Sequence, residues 1–174
     1  GVLDLGVLDE GIPDDAYKPV EGDDKGAATA YRKQNERERK SQRQLALRES
    51  EEAVVVSTSI AEDFRALGDI AEGTAEDVNA KEELYDDLRA EGSEWWKLKV
   101  ACDLWISAFF MPLQQEDAFH MEDVPTTGTL RRYLKTGELN SHLLLEAARI
   151  SEAQSFFHWK LEFPDVFEQG GFDV

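Results

Sequence analysis

Six basic residues over positions 32–43 are the first group whose types and spacing point to chemistry. Arg32, Arg39 and Arg43 fall along one row at helical spacing, and Lys33, Arg37 and Lys40 along the next. Guanidinium and ammonium groups in such a stripe match phosphates laid along a nucleic-acid backbone. A solvated helix laced by pairs to Glu36 and Glu38 would carry the same stripe. His158 stands among aromatics, where an imidazole either stacks on a base or serves as a hydrogen-bonded structural residue, the second being commoner. The aromatic run from Phe156 to Phe167 offers faces for base stacking. Stacking platforms interleave their rings with several basic residues, and here there is only Lys160, so the run is expected to pack the core.

Other catalytic templates fail. There is no Gly-rich phosphate loop, His-Glu-x-x-His, Cys-x-x-Cys or nucleophile elbow. Carboxylates are plentiful, but on exposed helix faces they mostly solvate, so no acid or base is singled out. The single Cys102 removes an internal disulfide framework, and three scattered histidines disfavour a zinc site, which fits a reducing cytoplasm. A net charge of −18 excludes a nucleic-acid binder that uses its whole surface, so any basic surface is local. The most apolar stretch, Val100 to Met111, is interrupted by Asp103 and flanked by Lys97 and Lys99, and it does not read as a membrane span.

The elements that must position these groups are mostly helical. Residues 1–24 read as an irregular acidic arm with turns at Gly11-Ile12-Pro13-Asp14 and Glu21-Gly22-Asp23. A long polar helix follows from Lys25 to about Ser50, dense in Arg, Lys, Gln and Glu. Ala53 to Ile70 is read as helix despite the β-prone Val54-Val55-Val56, because Ile60, Phe64, Leu67 and Ile70 keep helical spacing. Thr74 and Asp77 form a capping box ahead of a stripe of Val78, Lys81, Leu84, Tyr85 and Leu88, which Gly92 closes. Ser93 to Met111, with Trp95, Leu98, Cys102, Trp105 and Phe109 on one face, is the expected central core helix, ended by Pro112. A short helix from Thr129 to Thr136 is closed by Gly137, and Asn140 starts another. Near the end, Phe157, Trp159, Leu161 and Phe163 alternate with His158, Lys160 and Glu162, which predicts a strand closed by Pro164; Phe172 opens a second one. The fold class is therefore mainly α: an irregular helical domain over 25–155 with a short C-terminal β element in 156–174.

The C-terminal string Phe156-Phe157-His158-Trp159-Lys160-Leu161-Glu162-Phe163-Pro164-Asp165-Val166-Phe167, with Gly170-Gly171-Phe172-Asp173-Val174 after it, resembles a known family. It is similar to the stretch just before the Asn-Pro-Pro-aromatic motif of large N6-adenine DNA methyltransferases from restriction-modification and phage-defence systems. Gly11 through Pro19, Asp23-Asp24-Lys25, the Arg-rich helix, Asp103-Leu104-Trp105 through Met111-Pro112, and Pro125-Thr126-Thr127 look like the helical insert of that family, so the resemblance covers nearly the whole chain. It implies that the β element joins the parent enzyme's α/β sheet. It also implies that the catalytic motif follows Val174 and the Gly-rich S-adenosylmethionine loop precedes Gly1. No catalytic, cofactor-binding or metal residue then falls within this stretch, which would not methylate alone. The implied partners are the remainder of the parent enzyme and double-stranded DNA, met through Arg32, Lys33, Arg37, Arg39, Lys40 and Arg43. The contrasting expectation is an acidic helical interaction module or DNA mimic, permitted by the net charge of −18 but opposed by the basic helix.

Overall fold

The computed structural model describes residues 5–43, 52–114 and 123–172, with side chains left out at 42–43 and 52–59. The arm contributes a short helix α1 (Val7–Glu10) and a 3-10 turn (Asp14–Tyr17). Leu8, Ile12, Ala16 and Tyr17 are all buried, so this segment belongs to the core. Gly11 sits between them at φ +79°, where an added Cβ would fall 2.4 Å from the Thr127 methyl; only glycine suits both the left-handed backbone and the contact.

The core is arranged around α5 (Glu94–Ser107), which packs on α1, α3 (Glu52–Gly68), α4 (Ala75–Arg89), α6 (Thr127–Thr136), α7 (Ser141–Ala153) and α8 (Trp159–Glu162). Ser93 caps it by accepting from the Trp96 amide. Trp95, Leu98 and Cys102 are buried, as the periodicity predicts, and so are Ala101 and Leu104. The helix ends at Ser107, short of Met111, because the chain tightens into a turn ahead of Pro112; Phe109 and Phe110 are left exposed. Trp105 is only half-buried and donates its indole N–H to the Gly11 carbonyl, so Trp95 is the central ring. Against α5 lies α7 (Ser141–Ala153), capped by Asn140, which buries Leu143, Ala147 and Ile150 at spacings of four and three. α6 (Thr127–Thr136) starts at a Thr126 cap and stops at Gly137, whose φ of 72° is the left-handed cap expected of it.

α3 (Glu52–Gly68) forms as read, burying Ile60, Ala61 and Leu67. The capping box of α4 (Ala75–Arg89) is present, with Thr74 and Asp77 each accepting from the other's amide. Its stripe is not core, however: α4 buries no residue, and Val78, Leu84 and Tyr85 stay exposed.

The predicted C-terminal strand is replaced by two short helices, α8 (Trp159–Glu162) and α9 (Pro164–Glu168), and there is no strand among the described residues. A strand needs a neighbour for its N–H and C=O groups. Here the residues turned inward are His158, Leu161 and Pro164, every third position, so the local spacing that buries side chains is helical. Pro164 begins α9 rather than closing a strand, a first-turn position its missing N–H suits. Phe172 follows the Gly170-Gly171 turn without strand geometry, and Asp173 and Val174 lie outside the described residues. A β element joining a parent sheet is therefore not supported. No helix among the described residues is long and apolar enough to cross a membrane.

Candidate functional site

The basic helix α2 spans Lys25–Arg43. Asp24 starts it, its carboxylate accepting from the Ala27 amide at 2.7 Å. Ala27, Ala28, Tyr31 and Asn35 lie on one face and are buried. At 100° per residue, Lys33, Arg37 and Lys40 lie on the opposite face, and all three are exposed.

Asn35 fixes the orientation of this helix. It has no exposed surface, and its amide donates to the Ile12 carbonyl and to Asp14 Oδ1, both at 2.8 Å. Its oxygen accepts from the Thr127 amide at 2.9 Å and the Thr127 hydroxyl at 2.8 Å. One side chain thus ties the arm, α2 and α6 together through their main chains. The Tyr17 hydroxyl donates to the Pro125 carbonyl beside it at 2.7 Å, and burial pushes the phenol well above its ordinary value, with the Glu38 and Asp14 charges adding to the effect. One turn on, Glu38 accepts from the Gly128 amide at 2.7 Å. Both contacts resist rotation of α2 about its axis, so the outward row is held at a fixed angle.

The six predicted residues separate. Arg39 is half-buried and pairs with Asp14 at 3.1 Å, while Arg32 pairs with Glu36 at 3.4 Å on the surface. Lys33, Arg37 and Lys40 make no ion pair among the described residues and remain available to a ligand. The side chain of Arg43 lies outside the described residues. The pairing expected of a solvated helix is present at Glu36 with Arg32, whereas Glu38 accepts from the Gly128 amide and from Gln34, and the row of Lys33, Arg37 and Lys40 is exposed.

Lys40 also borders a cleft of about 510 Å³ lined by Asp9, Glu10, Asp14, Glu36, Arg39 and Arg131. Arg131 donates to the Asp9 carbonyl at 2.6 Å; burial raises the Asp9 carboxyl, and the Arg131 charge lowers it again only in part. The lining holds four carboxylates and three cations but no histidine, cysteine or hydroxyl group, so it can bind charge. Among the described residues no group of His, Cys, Asp and Glu is set to hold a metal.

His158 turns inward, and its Nε2 lies 2.7 Å from Asp103 Oδ1. A carboxylate can only accept, so Nε2 carries the proton, and Nδ1 has no partner among the described residues. Asp103 Oδ1 also accepts from the Ser151 hydroxyl at 3.0 Å, and Oδ2 from Lys99 at 2.5 Å. Burial would raise the Asp103 carboxyl, but the hydrogen bonds from His158 and Lys99 together outweigh it and hold it below its usual value. This is a structural network joining α5, α7 and the start of α8, and it removes His158 from any stacking role. The aromatic run departs from expectation the other way: Phe157, Trp159 and Phe163 face solvent instead of the core.

Comparison with known proteins gives no match to any family model, curated protein or solved structure. Sequence reasoning did not find Asn35 or Asp103. The signal for Asn35 was there, a poor helix former four residues after Tyr31 and eight after Ala27, on the face that carries the few apolar residues of α2.

Proposed function

We propose that this chain is the helical insert of an S-adenosylmethionine-dependent N6-adenine DNA methyltransferase of restriction-modification or phage-defence type, working in the cytoplasm. Its row of Lys33, Arg37 and Lys40 meets DNA phosphates, with catalysis and cofactor binding in the rest of the parent enzyme. The family part of this reading rests on the resemblance of the C-terminal string. The observation that carries the DNA part is the exposed row itself. Its three cations are unpaired among the described residues, and they lie opposite the face that Asn35 anchors. At 1.5 Å rise per residue the row covers about 10 Å, the reach of two or three successive phosphates on one strand. Arg32 and Arg39, already paired, contribute less.

The test uses the full-length enzyme with Arg37→Gln and Lys40→Gln together, titrated with several duplex sequences over a range of salt. Phosphate contacts release counterions irrespective of sequence, so binding weakens about equally for every duplex and the salt slope flattens by roughly 2. Isotherms that superimpose on the unsubstituted enzyme reject the contact. Reading the gene past Val174 tests the family separately, because an Asn-Pro-Pro-aromatic string must follow.

A further inference from the structure

We infer that the rings of Phe157, Trp159, Phe163 and Phe172 form a docking surface for a protein segment with an apolar face rimmed by Lys or Arg, of the kind a basic amphipathic helix presents. The inference is independent of the DNA reading. These four side chains are 51%, 42%, 38% and 49% exposed. They touch one another in a continuous set, with centroids 4.9 Å apart for Phe157 and Trp159, 5.8 Å for Trp159 and Phe172, and 5.5 Å for Phe163 and Phe172. Together they leave on the order of 400 Å² of apolar surface in water, the size of the largest, often functional, patch on a typical monomer. One side of a standard interface covers about 800 Å², so the facet has the size of an apolar interface centre that still needs a polar rim.

The facet is held rigid from below. His158 is bonded to Asp103, the Trp95 indole donates to the Leu161 carbonyl at 2.9 Å, and Pro164 is buried. These anchors fill the inward positions, so the rings cannot turn into the core without breaking the Asp103 network. A partner therefore meets a preformed surface and loses little entropy of ordering on this side.

The rim selects the sign of the partner's charge. α9 packs on α3, and α4 joins α8 through Arg89 and Glu162, so the facet lies beside the hairpin formed by α3 and α4. Residues 62–94 of that hairpin and its exit carry twelve carboxylates against three cations. All three cations are already paired: Arg65 with Glu168, Lys81 with Glu72, Arg89 with Glu162. Glu82, Glu83, Asp86 and Asp87 of that hairpin are exposed, and the facet's own segment, residues 156–172, carries Glu162, Asp165 and Glu168 against Lys160, so the surroundings are negative. Such surroundings repel phosphate and attract a cationic protein surface, which fits a protein partner in place of a stacked base.

The test titrates the whole chain by calorimetry with an eighteen-residue helical peptide of Leu and Lys. Controls are the same peptide with Glu in place of Lys, octalysine, and an oligothymidylate. The Leu–Lys peptide is expected to bind at about micromolar Kd, at least ten-fold tighter than octalysine, with no binding of the Glu peptide and no oligonucleotide binding that depends on the rings. Phe157→Ser with Phe163→Ser, or Phe172→Ser alone outside any helix, should reduce that affinity at least ten-fold, the melting temperature of the chosen variant staying at the wild-type value. Equal affinity in such a variant overturns the inference, as does equal binding of octalysine or the Glu peptide. Oligonucleotide binding lost on ring removal would make the facet a base platform. Self-association in sedimentation that the ring variants abolish would make the occupant a second copy. Either result rejects the basic partner.

Discussion

Asp103 keeps a charge inside the core because three donors, from His158, Ser151 and Lys99, converge on it. Its carboxyl is held below the ordinary carboxylate value, so the stability it confers is full above the unfolded-state value and disappears as pH falls through the lower folded one. Asp103→Asn should therefore cost about 3 kcal/mol at neutral pH, and the gap to wild type should narrow below about pH 4. Urea melts from about pH 6 down to pH 2.5 measure this, and a constant gap would mean that the folded protein does not hold the carboxyl low. At this scale the sequence was legible where exposure follows from helical spacing alone, as for the row of Lys33, Arg37 and Lys40. It was opaque where the role is set by distant partners. Asp103 reads as a polar interruption of an apolar run, and only the approach of residues 151 and 158 makes it the centre of a network.

Helix ends were legible because caps are local. Thr74 with Asp77, Asn140 and Gly137 all act within a few residues of themselves, and each is found in its predicted role. The C-terminal strand was misread because alternation says only that successive side chains differ in polarity, while which set turns inward depends on what lies beneath. Here neither alternating set turned inward as a whole: His158 from one and Leu161 from the other found partners in α5. The contact of α2 with α6 gives a prediction at the same scale. An added Cβ at Gly128 would lie 2.7 Å from the Glu38 carboxylate, which the Gly128 amide holds. Gly128→Ala should therefore destabilise by about 1 kcal/mol, although alanine in a helix ordinarily gains a similar amount over glycine. In a Glu38→Ala background the same change should stabilise. A double-mutant cycle by urea melts reads the sign, and stabilisation in both backgrounds would show that α2 and α6 yield easily.

Across the whole molecule the charges are sorted by place. The basic row lies on α2 at one region, and residues 62–94, through α3 and α4 and their exit, hold twelve carboxylates against three cations at another. A net charge of −18 hides this division, which is why composition alone allowed both a DNA-binding insert and an acidic interaction module. The two regions are joined through α5, at whose middle sits Cys102, with no exposed surface and its thiol pushed up by burial and by the neighbouring Asp103 carboxylate. Because α5 touches α1, α3, α4, α6, α7 and α8, a reagent reaches that sulfur only when the surrounding helices part. The lone thiol is thus a built-in clock for the cooperativity of the whole chain. Its alkylation should be slower than that of a free thiol by about the unfolding equilibrium constant, 10³-fold or more, and should accelerate with urea along the slope of global unfolding. Alkylation indifferent to urea would instead reveal breathing confined to α5, and two charged regions that unfold separately.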